Sequence, residues 1–243
     1  MSSGRLARYA GWQLRDFLMD RGIPVLLIGV LLGYTAIEPM RVGLGPGWNH
    51  NPAFPLTALL GTIVSPVITL AVFISLNGMI SNDRKMGYFR FVFAKPLRPM
   101  EYYAQLFAMH FVGMLFTIIL LTSLFRLLVG PVPFASVALY TLIVYIAMGG
   151  IGFFVSASTR YDWLVLAAIW VGSRILRNVY QGAPDFRSKL IQVLPPVHKI
   201  DGVATNLLAG RPADQTDMLW LVAYGAVFFV LGLIVVNRRS MVD

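Results

Sequence analysis

Long apolar runs separated by short polar segments set the pattern of this chain. No Asp, Glu, Lys or Arg falls within Val42–Asn82, Tyr102–Phe125, Leu127–Thr159 or Met218–Asn237. Each run holds a helix of about 20 mainly apolar residues, the length that crosses a hydrocarbon core of roughly 30 Å. The pattern predicts spans at residues 22–37, 56–80, 104–129, 134–157, 163–180 and 218–236. Pro24 suits the first turn of the first span. Pro66 predicts a kink in the second, with its freed carbonyl satisfied inside the bundle. Gly149, Gly150 and Gly152 give the fourth a face for close helix contact. The fifth is irregular, because Arg174 and Arg177 interrupt it.

The segments outside the runs have patterns of their own. In residues 1–21, Arg5, Arg8 and Arg15 fall near one helical face while Leu6, Ala10, Leu14, Phe17 and Leu18 gather on another. Such a helix is expected to lie along the headgroups. The apolar run after it ends in Glu38-Pro39 without a small-residue cleavage pattern, so it is expected to be a retained span and not a signal peptide. Gly45-Pro46 and Asn51-Pro52 mark a loop. From Asp185 to Asp217 the chain does not span. Two short amphipathic pieces, around Leu190–Leu194 and Val203–Leu208, flank Pro195-Pro196 there. The expected fold is an all-α integral membrane protein in one domain, residues 1–243. It has six transmembrane helices, an N-terminal interfacial helix, and a re-entrant or amphipathic segment before the last span.

Composition supports the membrane assignment. Of 243 residues, 57% are hydrophobic and 13% charged, against roughly 25% charged in soluble domains. The absence of cysteine removes disulfides and thiolate chemistry. A net charge of +9 would suggest nucleic acid in a soluble protein. In a membrane protein it points to Lys and Arg kept on the cytoplasmic side, facing anionic lipid. An even number of spans places both termini on one side. The positive-inside rule favours the cytoplasm for them, in an inner (cytoplasmic) membrane, with no nucleic-acid partner.

The densest polar surface is Asn82–Tyr103, which carries Asp83, Arg84, Lys85, Arg90, Lys95, Arg98 and Glu101 among aromatic residues. Two accounts fit it: an ordinary basic cytoplasmic loop, or a surface that a soluble partner grips. No G-x-x-x-x-G-K-[ST] motif exists, so the chain is not expected to hydrolyse ATP itself. His50, His110 and His198 are too scattered for paired metal or haem ligation. His110 lies in the third span, where a hydrogen-bonded structural role is weighed against a proton relay. The serines Ser65, Ser75, Ser156 and Ser158 sit in no nucleophile elbow, so no catalytic residue is expected.

The order of elements resembles the membrane subunit of ABC-2-type ABC transporters. The resemblance covers nearly the whole chain. Its most specific part is Asp83, Gly87, the apolar Phe89–Phe93 stretch (broken by Arg90), Pro96, Arg98 and Tyr102, with Asp83 where Glu is commoner in the family. A second part runs from Leu194-Pro195 through Leu207-Leu208 to Gly210. The resemblance implies the transmembrane half of an ATP-driven exporter, with a short coupling helix formed by Asn82, Asp83, Arg84, Lys85, Met86, Gly87, Tyr88 and Phe89. It also implies cytoplasmic P-loop ATPase subunits that hold ATP and Mg, and a second membrane subunit, identical or homologous. No cofactor is expected in this chain. A six-span secondary transporter or channel, or a membrane anchor of an assembly, are the alternatives without an ATPase.

Arg174 and Arg177 are spaced to share a helix face. One account gives them outer headgroups or loop carboxylates such as Asp185. The other places them, with His110, on a substrate pathway where a guanidinium fork engages an anionic group.

Overall fold

The computed structural model describes residues 3–44, 56–87, 98–159, 161–180 and 195–238. Among them there are helices and turns and no strand. The helices are α1 (Ser3–Phe17), α2 (Ile23–Leu44), α3 (Leu56–Leu76), α4 (Ser81–Lys85), α5 (Pro99–Leu128), α6 (Phe134–Ser158), α7 (Asp162–Tyr180), α8 (Val197–Leu208) and α9 (Gln215–Arg238). Among the described residues, five helical stretches are long and apolar enough to cross a membrane: Arg8–Glu38, Ile63–Lys85, Pro99–Leu128, Phe134–Ser158 and Gln215–Arg238. The fold is therefore that of a multi-pass helical membrane protein. Its large exposed side chains agree, since Leu27, Leu31, Phe116, Leu127, Val227 and Val230 point outward. Faces of that kind suit lipid and not water.

Side-chain contacts fix the direction of each helix. Tyr9 meets Tyr102, Phe17 meets His110, and Gly22, Gly29 and Gly33 abut Thr117, Leu121 and Phe125. α1 and α2 therefore run parallel to α5. Ser75 beside His110 and Met114 sets α3 antiparallel to α5, and Ile63 and Ile68 lie farther along it with Ile118 and Phe125. Ser65 bonds Tyr140 at 2.8 Å and Leu76 abuts Gly152, so α3 and α6 are parallel. α7 turns back along both, with Leu166 at Gly152 and Trp170 at Phe73. α9 is again parallel to α6, because Gly225 meets Ile146 and Gly150 while Gly232 meets Phe153. The chain thus alternates direction through α1–α2, α3, α5, α6, α7 and α9.

α6 is the central helix, and its pairing with α9 is the most extensive in the molecule. Glycines make that pairing possible. A Cβ on Gly150 would lie 1.9 Å from the Gly225 carbonyl oxygen, and one on Gly225 would lie 2.1 Å from that of Ile146. The two backbones touch, as the glycine pattern of the fourth span predicts for Gly150.

Two boundaries differ from the sequence expectations. No break separates an interfacial helix ending at residue 21 from a first span. A π-helical turn, Leu18–Gly22, carries the helix from α1 into α2. The shift from polar to apolar residues marks where the surroundings change, not where hydrogen bonding stops. Pro66 sits inside α3, within the span where the sequence placed it. Among the described residues before α9, helix α8 starts just after Pro195-Pro196 and buries Val197, Ile200, Val203, Leu207 and Leu208; the expected piece at Leu190–Leu194 lies outside the described residues.

Candidate functional site

The directions bring the ends of α3, α6 and α9 together with the starts of α1 and α5. This near end also carries the segment from Gly78 to Gly87. Gly78 and Gly87 both have left-handed φ, +72° and +70°, a region that favours glycine. Between them the chain forms the one-turn helix α4. At Gly78 a Cβ would come within 2.2 Å of the Asn82 side-chain amide, which would have to swing away, and the left-handed backbone would strain any other residue there.

A buried carboxylate roots this segment in the bundle. Asp162, 2% exposed, accepts on Oδ2 from the Gly78 N–H (2.9 Å), the Ser81 hydroxyl (2.8 Å) and the Ser156 hydroxyl (3.0 Å). The Ser156 oxygen accepts in turn from the N–H groups of Ile80 (3.1 Å) and Ser81 (3.2 Å). With the Trp163 N–H on Oδ1 (3.0 Å), six donors meet at one carboxylate and one hydroxyl, and buried polar groups satisfied in this way hold a single arrangement. Asp83 is tied separately to α5 through the Tyr103 hydroxyl, 3.2 Å away.

The C-terminal carbonyls of α3 are held by α1's extension and by α5. Arg21, in the π turn, donates from Nη1 to the carbonyls of Ile74, at 3.2 Å, and Ser75. The Nδ1–H of His110 donates to the same Ser75 carbonyl at 2.8 Å, and the ring packs 5.1 Å from Phe17. His110 is thus hydrogen-bonded within the bundle, one of the two roles weighed for it. Beside this cluster lies a cavity of about 560 Å³ whose lining includes Asn82, Asp83, Met86, Arg21 and His110.

The segment residues expected to contact a partner are only partly gathered here. Asn82, Lys85 and Met86 are exposed, Met86 at 64%, while Asp83, Arg84 and Gly87 are half-buried. Tyr88 and Phe89 lie outside the described residues. Arg174 and Arg177 are elsewhere, on α7 toward α8. Arg174 forms a two-pronged bond with Asp201 of α8, at 3.0 and 2.8 Å, and stacks 5.1 Å from the Trp170 ring. Its partner is Asp201; Asp185, named from the sequence, lies outside the described residues. The structure does not bring the two arginines and His110 to one place.

Near Arg177, Lys199 pairs with Asp217. The half-exposed imidazole of His198 is pushed down to about 4, by burial first and then by the Arg177 and Lys199 charges, against the pull of Asp217. Among the described residues no group of three or more His, Asp or Glu is placed to hold a metal ion.

Arg21 and Asp162 tie several elements together at the near end, and the sequence pattern singled out neither. Each sits next to an apolar run, which hides an inward-facing role. Comparison with protein-family models, characterised proteins and solved structures found no match to this chain.

Proposed function

We propose that this chain is the transmembrane subunit of an ATP-driven exporter of the ABC-2 type, docking a cytoplasmic P-loop ATPase through the Gly78–Gly87 segment. The observation that carries this reading is the anchoring of that segment. A short helix gripped by an ATPase has to pass its displacement to the spans, and this one is tied through Asp162 and Ser156 to the α6–α7 turn and through Asp83 to α5. Exposed Asn82 and Lys85 surround the Met86 knob, the mix of polar contact and apolar anchor that a docking surface uses. ATP and Mg belong to the partner. Closure of the ATPase pair shifts the segment between two states, with ATP supplying the difference in binding energy.

Six crossings fit this reading. α7 runs antiparallel to α6 and α9, and it turns Trp163, Leu164, Val171, Ile175 and Val179 outward, a face suited to lipid. Both termini then face the cytoplasm of the inner membrane. The described cations near that side, Arg5, Arg8, Arg15, Arg21, Arg84, Lys85, Arg98 and Arg238, outnumber Arg41, Arg126, Arg174, Arg177, Lys199 and Arg211. Two membrane subunits enclose the pathway.

The test is co-purification with the ATPase after Lys85→Glu and Met86→Asp together. Both side chains are exposed, so folding in the membrane is preserved while the ATPase is lost. Retention of the ATPase with unchanged transport refutes the assignment.

A further inference from the structure

At the end of the bundle opposite the Gly78–Gly87 segment, basic side chains gather where α7, α8 and α9 meet. The two-pronged bond between Arg174 and Asp201 fixes the register of α7 against α8. Arg177 lies one turn farther along α7 and His198 one turn back along α8, and the Arg177 charge acts on that imidazole. Lys199, the next residue of α8, pairs with Asp217 at the start of α9. Two cations and an imidazole therefore share one level of the molecule. The carboxylates beside them are already engaged, Asp201 with Arg174 and Asp217 with Lys199. Arg177 is half-buried and makes no hydrogen bond or ion pair with a described residue. The joining segment, residues 181–194, carries Arg187 and Lys189 against Asp185 alone, so it adds positive charge and not balance.

A half-buried guanidinium without an acceptor leaves its donors unmatched, and an anion supplies what is missing. The planar fork of Arg177 matches two phosphate oxygens. Lys199 adds a second positive charge, and the imidazole of His198, neutral near pH 7, has one N–H to donate. Apolar side chains stand beside these groups. Ile175 and Val179 of α7 and Leu219 and Trp220 of α9 all turn outward, and tryptophan is enriched where membrane meets water. A ligand that uses both surfaces has an anionic head and an apolar body. We propose that Arg177, His198 and Lys199 bind the phosphate group of an anionic ligand. Arg177 takes two of its oxygens, while Asp217 holds Lys199 in place for a further contact. A phospholipid headgroup and free phosphate share this chemistry; only the lipid also covers Val179 and Leu219. The site depends neither on an ATPase partner nor on transport.

The test uses the full chain in dodecyl maltoside, which carries no phosphate, and dihexanoyl-phosphatidylglycerol as the probe in isothermal titration. Saturable binding of one probe per chain is expected, and dihexanoyl-phosphatidylcholine, whose choline cancels the charge, should bind more weakly. Arg177→Gln should weaken binding about tenfold or more, equivalent to roughly 1.4 kcal/mol. Arg177 has no partner among the described residues, so elution and melting should stay unchanged. Arg126→Gln removes the same charge from an exposed position at the same end, on α5, and should leave affinity as it was. Arg177→Lys keeps the charge but loses the fork; it should weaken binding by less, and it serves if Arg177→Gln fails to fold. No saturable binding, equal affinity in wild type and the Arg177 variants, equal loss in Arg126→Gln, or equal binding of the choline lipid overturns the proposal. Binding that inorganic phosphate does not displace assigns the site to lipid; displacement by phosphate at a similar concentration assigns it to the free anion.

Discussion

Substitution of Gly150 by valine probes the tightest backbone approach among the described glycines. The new Cβ would lie 1.9 Å from the Gly225 carbonyl oxygen and 2.6 Å from its carbon. Relaxed carbon–oxygen contacts begin near 3.3 Å, so α6 and α9 must part by about 1.4 Å. A radial gap of 0.5–1 Å already removes a quarter to a half of a packing contact. The loss here spreads to Phe153 against Phe229 and Phe154 against Phe228. Overpacking costs about 1–3 kcal/mol, and this clash is with backbone, so the upper end applies. By the scaling of 150–250-residue domains, the melting temperature should fall by about 4–12 °C. Gly172→Val is the matched control, since nothing lies within 4 Å of a Cβ there. It should melt close to the wild type in the same detergent. If the two variants melt within about 1 °C of each other, the backbone-contact account of the α6–α9 pair is wrong.

The other expectations rest on polar groups. Asp162→Ala leaves the donors of Gly78, Ser81 and Ser156 without their shared acceptor, a loss of at least about 2 kcal/mol; amide exchange should rise in residues 78–86, and unchanged protection there would refute the anchoring role. Arg174→Gln removes an exposed pair and should change stability by no more than about 1 kcal/mol. Transport lost in that variant with melting intact would place Arg174 on the pathway, while transport at the normal rate leaves it a partner of Asp201. His198 titrates near 4 when folded and near 6.5 when unfolded, so the unfolded chain takes up its proton first. Stability should be full above about pH 6.5 and decline as pH falls toward 4. His198→Gln should flatten that part of a melting-temperature profile, and an unaltered slope counts against the assignment.

Element positions were legible in the sequence where punctuation was strong. Gly130-Pro131 and Pro133 stop one helix and start the next, and the expected 134–157 span is α6, Phe134–Ser158. Ends were misjudged where polarity changes without a break in hydrogen bonding. The expected start at residue 104 becomes Pro99, because α5 continues beyond its apolar stretch with a proline at N1. The join between α1 and α2 is the same case. Contact between Gly150 and another helix was readable from small residues on a long apolar run, but its partner Gly225 was not singled out. The Asp162 network was not legible at all. It joins residues more than 70 positions apart, and no local periodicity tells which carboxylate in a short turn faces inward.

The parallel pairing of α6 and α9 has a bearing on biosynthesis. The glycine face of α6 is complete as soon as that helix leaves the ribosome, yet the helix that covers it is made only after α7 and α8 have followed. Until then the most central helix in the molecule presents bare backbone to whatever lies beside it in the membrane. Insertion machinery or lipid has to occupy that face in the interval. A chain stopped short of α9 displays it permanently, which gives membrane quality control a simple mark by which to tell an unfinished copy from a finished one.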